Sequence, residues 1–251
     1  MPTSLAQTGS DPTIAIINDG NALGDAALAV AVAALQVQVT RDFAPVWGTG
    51  ANLVFVPRGG TPAPGAWQLA ALDHSDEDGD LGYHETTDTG LPLGKAFIAD
   101  DIADGLAWSV TLSHELLEML ADPQTDQSVY GPDGRLYARE VCDPCEDDQF
   151  GYLVPGSGPG PGVRVSDFVL PAYYTGGSGP FDHTGALTLP LPGMAAGGYL
   201  SSFDPANPSA GWTQIYGEQS PCDRGRLPRG FFRRKLRRIA REARRPSSRW
   251  T

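Results

Sequence analysis

Residues 111–123 read T-L-S-H-E-L-L-E-M-L-A-D-P, and this stretch decides how the rest of the chain is interpreted. Its apolar residues, with two that precede it, follow one helical stripe: Leu106, Val110, Leu116, Leu117, Met119 and Leu120. This spacing predicts a helix that is mostly buried. Asp101 or Asp104 is the expected N-cap, and Pro123 is expected to end the helix.

This helix carries three ionisable residues within five positions, namely His114, Glu115 and Glu118. Burying an unpaired charge is costly, and a bound cation is one common compensation. His114 and Glu118 are four residues apart, so they share a helical face, as the two histidines do in the H-E-x-x-H zinc helix. Here Glu118 replaces the second histidine and Glu115 occupies the general-base position. A buried His–Glu network or a solvated helix face would produce the same pattern.

A third ligand is expected downstream, where residues 140–148 read E-V-C-D-P-C-E-D-D after a predicted strand over 136–141. Glu140 or Asp143 could bind the metal, with the other orienting a ligand. Acidic residues that only cap the strand end are the alternative. Cys142 and Cys145 lack two more closely spaced ligands for a separate zinc site, so free thiols are favoured over a Cys145–Cys222 disulfide.

The remaining pattern predicts an α+β domain with a mixed sheet. A helix is expected over 26–43, and a surface loop over the Pro- and Gly-rich residues 154–162. Strands are expected over 13–18, 52–56, 67–72 and 95–99. We divide the chain into an N-terminal tail, 1–10, one domain over 11–222, and a C-terminal tail, 223–251.

Two further groups of residues are candidates for ligand or substrate contacts. Asp76, Asp78 and Asp80 alternate around Gly79 and could hold Ca²⁺, although the segment does not match an EF-hand loop and an acidic solvated turn is favoured. His84 and His183 are candidates for substrate contact or for a metal ligand, and ordinary polar or packing roles are the alternative for both.

Charge divides the chain into an acidic body and a basic tail. Residues 1–222 hold 28 Asp and Glu against six Lys and Arg, whereas 223–251 hold 12 Lys and Arg against two acidic residues. The tail repeats apolar residues at helical spacing, which predicts a basic amphipathic helix. Its residues 224–249 could bind an anionic partner, whether a membrane surface, a nucleic acid or an acidic protein.

Targeting signals are not evident in the sequence. The N-terminus lacks a basic and then apolar signal-peptide pattern, and we expect a cytoplasmic or particle-associated protein. No run approaches the roughly 18 consecutive apolar residues of a transmembrane helix.

The string S-H-E-L-L-E-M-L-A-D-P, with L-G-Y-H at 81–84 and E-V-C-D-P at 140–144, resembles a family of largely uncharacterised bacterial and phage-associated proteins regarded as zincin-type metallopeptidases. The resemblance covers roughly residues 10–205. It implies a zincin-like mixed sheet with one backing helix and one active-site helix. By position it implies His114 and Glu118 as zinc ligands, Glu115 as general base and Glu140 as the downstream ligand.

The function this implies is zinc-dependent hydrolysis of peptide bonds by metal-activated water. The chain departs from zincins in its second ligand and in the spacing of its downstream E-x-x-D. A non-enzymatic zincin-like scaffold or particle-associated protein, which binds a partner through its basic tail, is therefore the alternative hypothesis.

Overall fold

The computed structural model describes residues 11–76, 80–156 and 160–218. The expected N-terminal tail, Asp78, Cys222 and the basic tail lie outside these ranges, so the predictions made for them are not addressed by the structure.

The described residues form a mixed α+β structure, as the sequence predicts. Its strands are β1 (Thr13–Asn18), β2 (Asn52–Val56), β3 (Trp67–Leu72), β4 (Gly82–Thr86), β5 (Pro92–Phe97), β6 (Ser128–Tyr130), β7 (Leu136–Ala138), β8 (Tyr152–Val154), β9 (Val163–Val165), β10 (Tyr199–Phe203) and β11 (Trp212–Tyr216). Its α-helices are α1 (Asp25–Val37), α2 (Ala44–Trp47), α3 (Ile98–Asp104), α4 (Trp108–Ala121) and α5 (Pro171–Thr175).

The main sheet has the strand order β2-β1-β3-β5-β4. Its first four strands in this order are parallel, and β4 alone runs antiparallel to its neighbour β5. The expected strands at 13–18, 52–56 and 67–72 are confirmed, and the one expected over 95–99 begins earlier and ends at Phe97. Strand β4 was not predicted, yet it forms the edge of the sheet.

Helices α1 and α4 cover one face of this sheet. Alternate residues of β1 and β3, such as Ile16 and Leu69, are completely buried with Leu28 and Leu35 of α1 and Leu116 of α4. The alternating apolar side chains of the strands therefore pack against the apolar faces of the helices in one core. On the opposite face, Ala15, Val56 and Ala66 form a small apolar cluster. A cavity of about 420 Å³ beside β2 is lined by residues that include no titratable group.

Helix α1 continues through a π-helical segment, Gln38–Phe43, into α2. Gln38 is fully buried at this junction, accepts a hydrogen bond from the Ser113 hydroxyl of α4 (2.7 Å) and donates one to the Ser166 carbonyl (2.9 Å). The helical region therefore extends beyond the expected 26–43. By length and composition residues 25–47 could span a membrane, but the buried residues of α1 pack on the sheet as in a core helix.

Helix α4 begins later than a cap at Asp101 or Asp104 would require. Ala107 occupies the N-cap position without a side-chain cap, and both aspartates belong to α3 instead. Gly105, with a φ of +75°, ends α3 and allows the chain to turn into α4. The helix ends at Ala121, two residues before Pro123, as predicted.

The C-terminal half contains more regular structure than its loop-rich sequence predicts. Strands β6, β7, β10 and β11 form an antiparallel sheet in the order β11-β10-β7-β6, and β8 pairs with β9 across the Pro- and Gly-rich segment. Cys142 and Cys145 are free and buried, in agreement with the expected thiols. Buried residues of this half, including Tyr137 and Leu200, belong to the same core as the main sheet.

Candidate metal centre

Helix α4 presents His114, Glu115 and Glu118 inside the protein rather than to solvent. Their exposed fractions are 5%, 1% and 1%, respectively. The solvated-face interpretation of the H-E-x-x-E pattern is therefore wrong for these three residues. They face two segments that the chain brings against α4, the edge strand β4 and the loop over 140–146.

The edge of the sheet approaches α4 closely because glycines of β4 and β5 face this helix. A Cβ atom on Gly82 would lie 2.6 Å from Glu115 Oε1 and 2.9 Å from Thr111 Cγ2, and one on Gly94 of β5 would lie 2.7 Å from Met119 Sδ. His84 lies two residues after Gly82 on the same face of β4 and pairs with Gly94. The two glycines thus leave room for the His84 imidazole beside α4.

His84 contacts carboxylates through both ring nitrogens. Its Nδ1 lies 3.6 Å from Glu115 Oε2 and 3.6 Å from Glu118 Oε2, and its Nε2 lies 3.8 Å from Glu140 Oε2. Single ligand atoms of His84, Glu118 and Glu140 lie within 4.8 Å of one another, which is a spacing compatible with one metal ion.

The loop over 140–146 carries an acidic residue at every third position, Glu140, Asp143 and Glu146. A 3₁₀ turn over Asp143–Cys145 has about three residues per turn, which places such residues on one side. The side chains between them point into the core, and Val141, Cys142 and Cys145 are at most 1% exposed. Cys142 and Cys145 therefore lie on the apolar side of the same turn.

Hydrogen bonds hold this loop against its surroundings. The Glu140 carbonyl accepts from the Tyr174 hydroxyl (2.8 Å), the Val141 carbonyl from the Val169 amide (2.7 Å) and the Pro144 carbonyl from the Ala195 amide (2.8 Å). The Cys142 amide donates to Glu118 Oε1 at 3.2 Å and so connects the loop to α4 directly.

A second group of ligand atoms forms around His114. Its Nε2 lies 3.3 Å from Glu118 Oε1 and 3.2 Å from Asp143 Oδ1. Single ligand atoms of His114, Asp143 and Glu146 lie within 4.8 Å of one another. We call the two groups together the His–carboxylate cluster, which comprises His84, His114, Glu115, Glu118, Glu140, Asp143 and Glu146.

The spacing within the His–carboxylate cluster fits cation ligands better than direct ion pairs. Charge-assisted N–H···O bonds are usually about 2.7–2.9 Å long, whereas the imidazole-to-carboxylate distances here are 3.2–3.8 Å. Atoms that are each about 2.0–2.2 Å from one cation lie about 3.0–3.6 Å apart. In addition, neither Glu115 carboxylate oxygen has a hydrogen-bond partner in the described part of the chain.

Burial dominates the titration of the carboxyl groups. It raises the pKa of Glu115 and that of Glu146 well above the usual range, and the nearby Glu118 and Asp143 carboxylates raise both further. Burial and Glu118 also raise the pKa of Asp143, to about 7. For His114, burial alone would lower the pKa, but the Glu118 carboxylate and Cys142 raise it well above 6.5.

A cation would relieve this crowding. Five ionised carboxylates against two protonated imidazoles would leave an excess of three negative charges in the His–carboxylate cluster. Uncompensated charge of this kind is very costly away from water. The donor set of imidazoles and carboxylates suits zinc and other divalent transition metals.

The cluster brings together residues that the sequence analysis named separately. His114, Glu115, Glu118, Glu140, Asp143 and His84 all belong to it. Glu146 was missed, although its three-residue spacing from Asp143 is visible in the sequence. Tyr199 of β10 was also missed. It is fully buried beside Asp143, and only strand pairing distant in sequence brings it there.

The structure places the other candidates elsewhere. The ring of His183 stacks on Phe168 at a centroid distance of 5.1 Å and lies 4.6 Å from that of Tyr152. Asp76 is exposed and forms an ion pair with Lys95 at 2.9 Å, while Asp80 is buried. The two described members of the proposed calcium group therefore lie in different environments.

Comparison with known proteins gives no further assignment. No family model, no curated protein and no solved structure matches this chain.

Proposed function

We propose that this chain is a zinc-dependent hydrolase that cleaves peptide bonds. The observation that carries the proposal is the position of the H-E-x-x-E residues of α4. They lie in a buried cluster together with a histidine from β4 and three acidic side chains from the loop over 140–146. Helix, strand and loop would each supply ligands to the metal.

Glu115 is the residue that we propose as general base. Its carboxylate lacks hydrogen bonds in the described chain, so its lone pairs are available to accept a proton. Burial raises the pKa of this carboxyl group well above its usual range, which makes the carboxylate a stronger proton acceptor. When bound, Zn²⁺ would supply Lewis-acid polarisation of a carbonyl and a more acidic water.

The edge strand favours a peptide as the substrate class. β4 is the last strand of the sheet, and in the described part of the chain only β5 pairs with it. An extended peptide could add to this free edge through backbone hydrogen bonds. It would then run beside His84 and the rest of the His–carboxylate cluster. The order of sheet, backing helix α1 and helix α4 also supports the zincin-like organisation expected from the motif.

The depth of the cluster favours a second candidate function, that of a structural metal site. Structural zinc sites are closed, whereas catalytic sites keep one position open to substrate. Apart from the half-buried Glu146, the side chains of the cluster are at most 7% exposed, which resembles the closed type. In that case the cluster would join α4 to the C-terminal half without catalysis.

Replacement of Glu115 by Gln distinguishes the two functions. The metal content of wild type and Glu115→Gln would be measured by elemental mass spectrometry, and hydrolysis would be followed with a library of internally quenched fluorescent peptides. We expect the variant to retain metal and to lose at least 100-fold in rate, since general bases contribute about 10²–10⁴-fold. Metal-loaded wild type that cleaves no library member, but melts at a lower temperature after chelation, would instead identify a structural site.

A further inference from the structure

We propose that the His–carboxylate cluster is a two-cation centre in which the Glu118 carboxylate bridges the ions. One ion would bind to His84, Glu118 and Glu140, and the other to His114, Asp143 and Glu146 together with Glu118. This proposal rests on the metal-binding role proposed above, but it does not depend on hydrolysis.

The two oxygens of Glu118 face different histidines. Oε2 lies 3.6 Å from His84 Nδ1, and Oε1 lies 3.3 Å from His114 Nε2. A ligand to a single ion would need both imidazoles on the same side of its carboxylate. The arrangement suits a carboxylate that would bridge two neighbouring ions, one at each oxygen.

A different second carboxylate lies near each of the two histidines that flank Glu118. On the His84 side, Glu140 Oε2 lies 3.8 Å from the imidazole Nε2, and on the His114 side, Asp143 Oδ1 lies 3.2 Å from the imidazole Nε2. The two sets therefore come from different structural elements, with β4 and the start of the loop on one side and α4 and the 3₁₀ turn on the other. Glu146 completes the second set.

The charge of the cluster also favours two ions. An imidazole that binds a metal is neutral, so the five carboxylates alone oppose the cationic charge. One divalent cation would leave three negative charges in a buried site, whereas two would leave one. The 1% exposed Glu115 carboxylate, which accepts no hydrogen bond within residues 11–76, 80–156 and 160–218, faces the same space from α4, since its Oε2 lies 3.6 Å from His84 Nδ1.

The ligand chemistry indicates the class of ion. Two imidazoles with several carboxylates, one of them bridging, resemble the donor sets of dinuclear iron and manganese sites in proteins. Carboxylates favour Mn²⁺, and imidazole suits Zn²⁺ and Fe²⁺. We therefore expect Mn²⁺ and Zn²⁺ both to load the centre, which allows Mn²⁺ to serve as a spectroscopic probe.

The first test is stoichiometry in the full-length protein. Metal-free protein would be titrated with Mn²⁺ and with Zn²⁺, dialysed, and analysed by elemental mass spectrometry. We expect about two ions per chain for wild type. Saturation at one ion would overturn the two-cation proposal and leave the hydrolase proposal standing. Two ions without turnover would contradict the hydrolase and leave the centre intact.

Near-isosteric variants test the assignment of each side. Glu140→Gln removes a carboxylate from the His84 side and Asp143→Asn one from the His114 side, so each should retain about one ion. Glu118→Gln should weaken both sites. Glu85→Gln is the matched control, because Glu85 neighbours His84 but pairs with Lys95 outside the cluster, and it should bind two ions. Circular dichroism would establish that each variant is folded.

Electron paramagnetic resonance then tests the bridge itself. Two Mn²⁺ ions that share a carboxylate are magnetically coupled, so doubly loaded wild type should show a broadened spectrum. Glu140→Gln and Asp143→Asn should each show the six-line signal of an isolated ion. A six-line signal from the wild type with two ions bound would overturn the bridging role of Glu118.

Discussion

Asp101 is a buried carboxyl group of α3 that lies apart from the His–carboxylate cluster. Its Oδ1 accepts a hydrogen bond from the Thr111 hydroxyl of α4 (2.9 Å), whereas its Oδ2 has no hydrogen-bond partner in the described part of the chain. Burial, together with the nearby Asp148 and Asp100 carboxylates, raises its pKa to about 8, although the hydrogen bond from Thr111 lowers it. The neutral acid is therefore the form that the folded protein favours at pH 7.

Asp101→Asn should abolish the loss of stability that ionisation of Asp101 causes in wild type as the pH rises. Because the pKa is higher in the folded than in the unfolded chain, the contribution of Asp101 is complete below pH 4 and is lost as the pH rises through 8. Between pH 6 and 9 the free energy of unfolding of wild type should fall by about 3 kcal/mol more than that of Asp101→Asn. Urea denaturation at both pH values measures this difference.

The exposed residue Asp88, which lies between β4 and β5 and not in α3, supplies the control. Asp88→Asn should follow the pH dependence of wild type. Equal pH dependence for Asp101→Asn and wild type would show that Asp101 does not hold a proton in the folded protein.

At the scale of elements, the contact between β4 and α4 depends on the absence of a side chain at Gly82. The sequence of β4 has no apolar alternation. The position of this strand is therefore set by its pairing with β5 and by its fit against α4. Its position as the edge strand brings His84 to Glu115 and Glu118. The part of the His–carboxylate cluster around His84 therefore depends on the packing of this strand.

Gly82→Ala should disturb this contact, since the added Cβ would lie 2.6 Å from Glu115 Oε1. Overpacking of this kind typically costs about 1–3 kcal/mol. We expect a lower melting temperature together with weaker Mn²⁺ binding, measured by calorimetry. Gly177→Ala is the matched control, because its Cβ would meet only ordinary contacts at 3.9 Å and beyond. Unchanged Mn²⁺ affinity in Gly82→Ala would argue against the close approach of β4.

At the scale of the whole molecule, the His–carboxylate cluster lies where the main sheet meets the C-terminal half. Residues from β4, α4 and the loop over 140–146 contribute to it, and Tyr199 of β10 lies beside Asp143. A bound cation would therefore tie distant parts of the chain together. Without a cation, the same carboxylates repel one another as they ionise.

Metal removal should consequently destabilise the protein in a pH-dependent way. The pKa of Asp143 is raised to about 7 without a cation, so its contribution to the stability of the metal-free protein should be lost as the pH rises through 7. Melting temperatures with EDTA should fall from pH 5 to pH 8, and Zn²⁺ addition should restore them most strongly at pH 8. A melting temperature that is insensitive to EDTA at pH 8 would contradict a metal at this site.

The sequence by itself determined the elements whose signals are local. The apolar stripe and Pro123 predicted α4 and its end, and short apolar runs predicted β1, β2 and β3. The four-residue spacing of His114 and Glu118 placed both on one helical face, because helical geometry depends only on neighbouring residues. Glu140 and Asp143 also marked the loop that contributes ligand atoms to the His–carboxylate cluster in the structure.

Only the tertiary structure decided which carboxylates meet which imidazole. Strand β4 has a mixed sequence with no apolar alternation, so its place at the sheet edge comes from pairing with β5. That pairing makes His84 part of the cluster, and the 3₁₀ turn adds Glu146 to the group around His114. The two oxygens of Glu118 face opposite histidines because contacts between segments distant in sequence, which no local pattern encodes, position all three side chains.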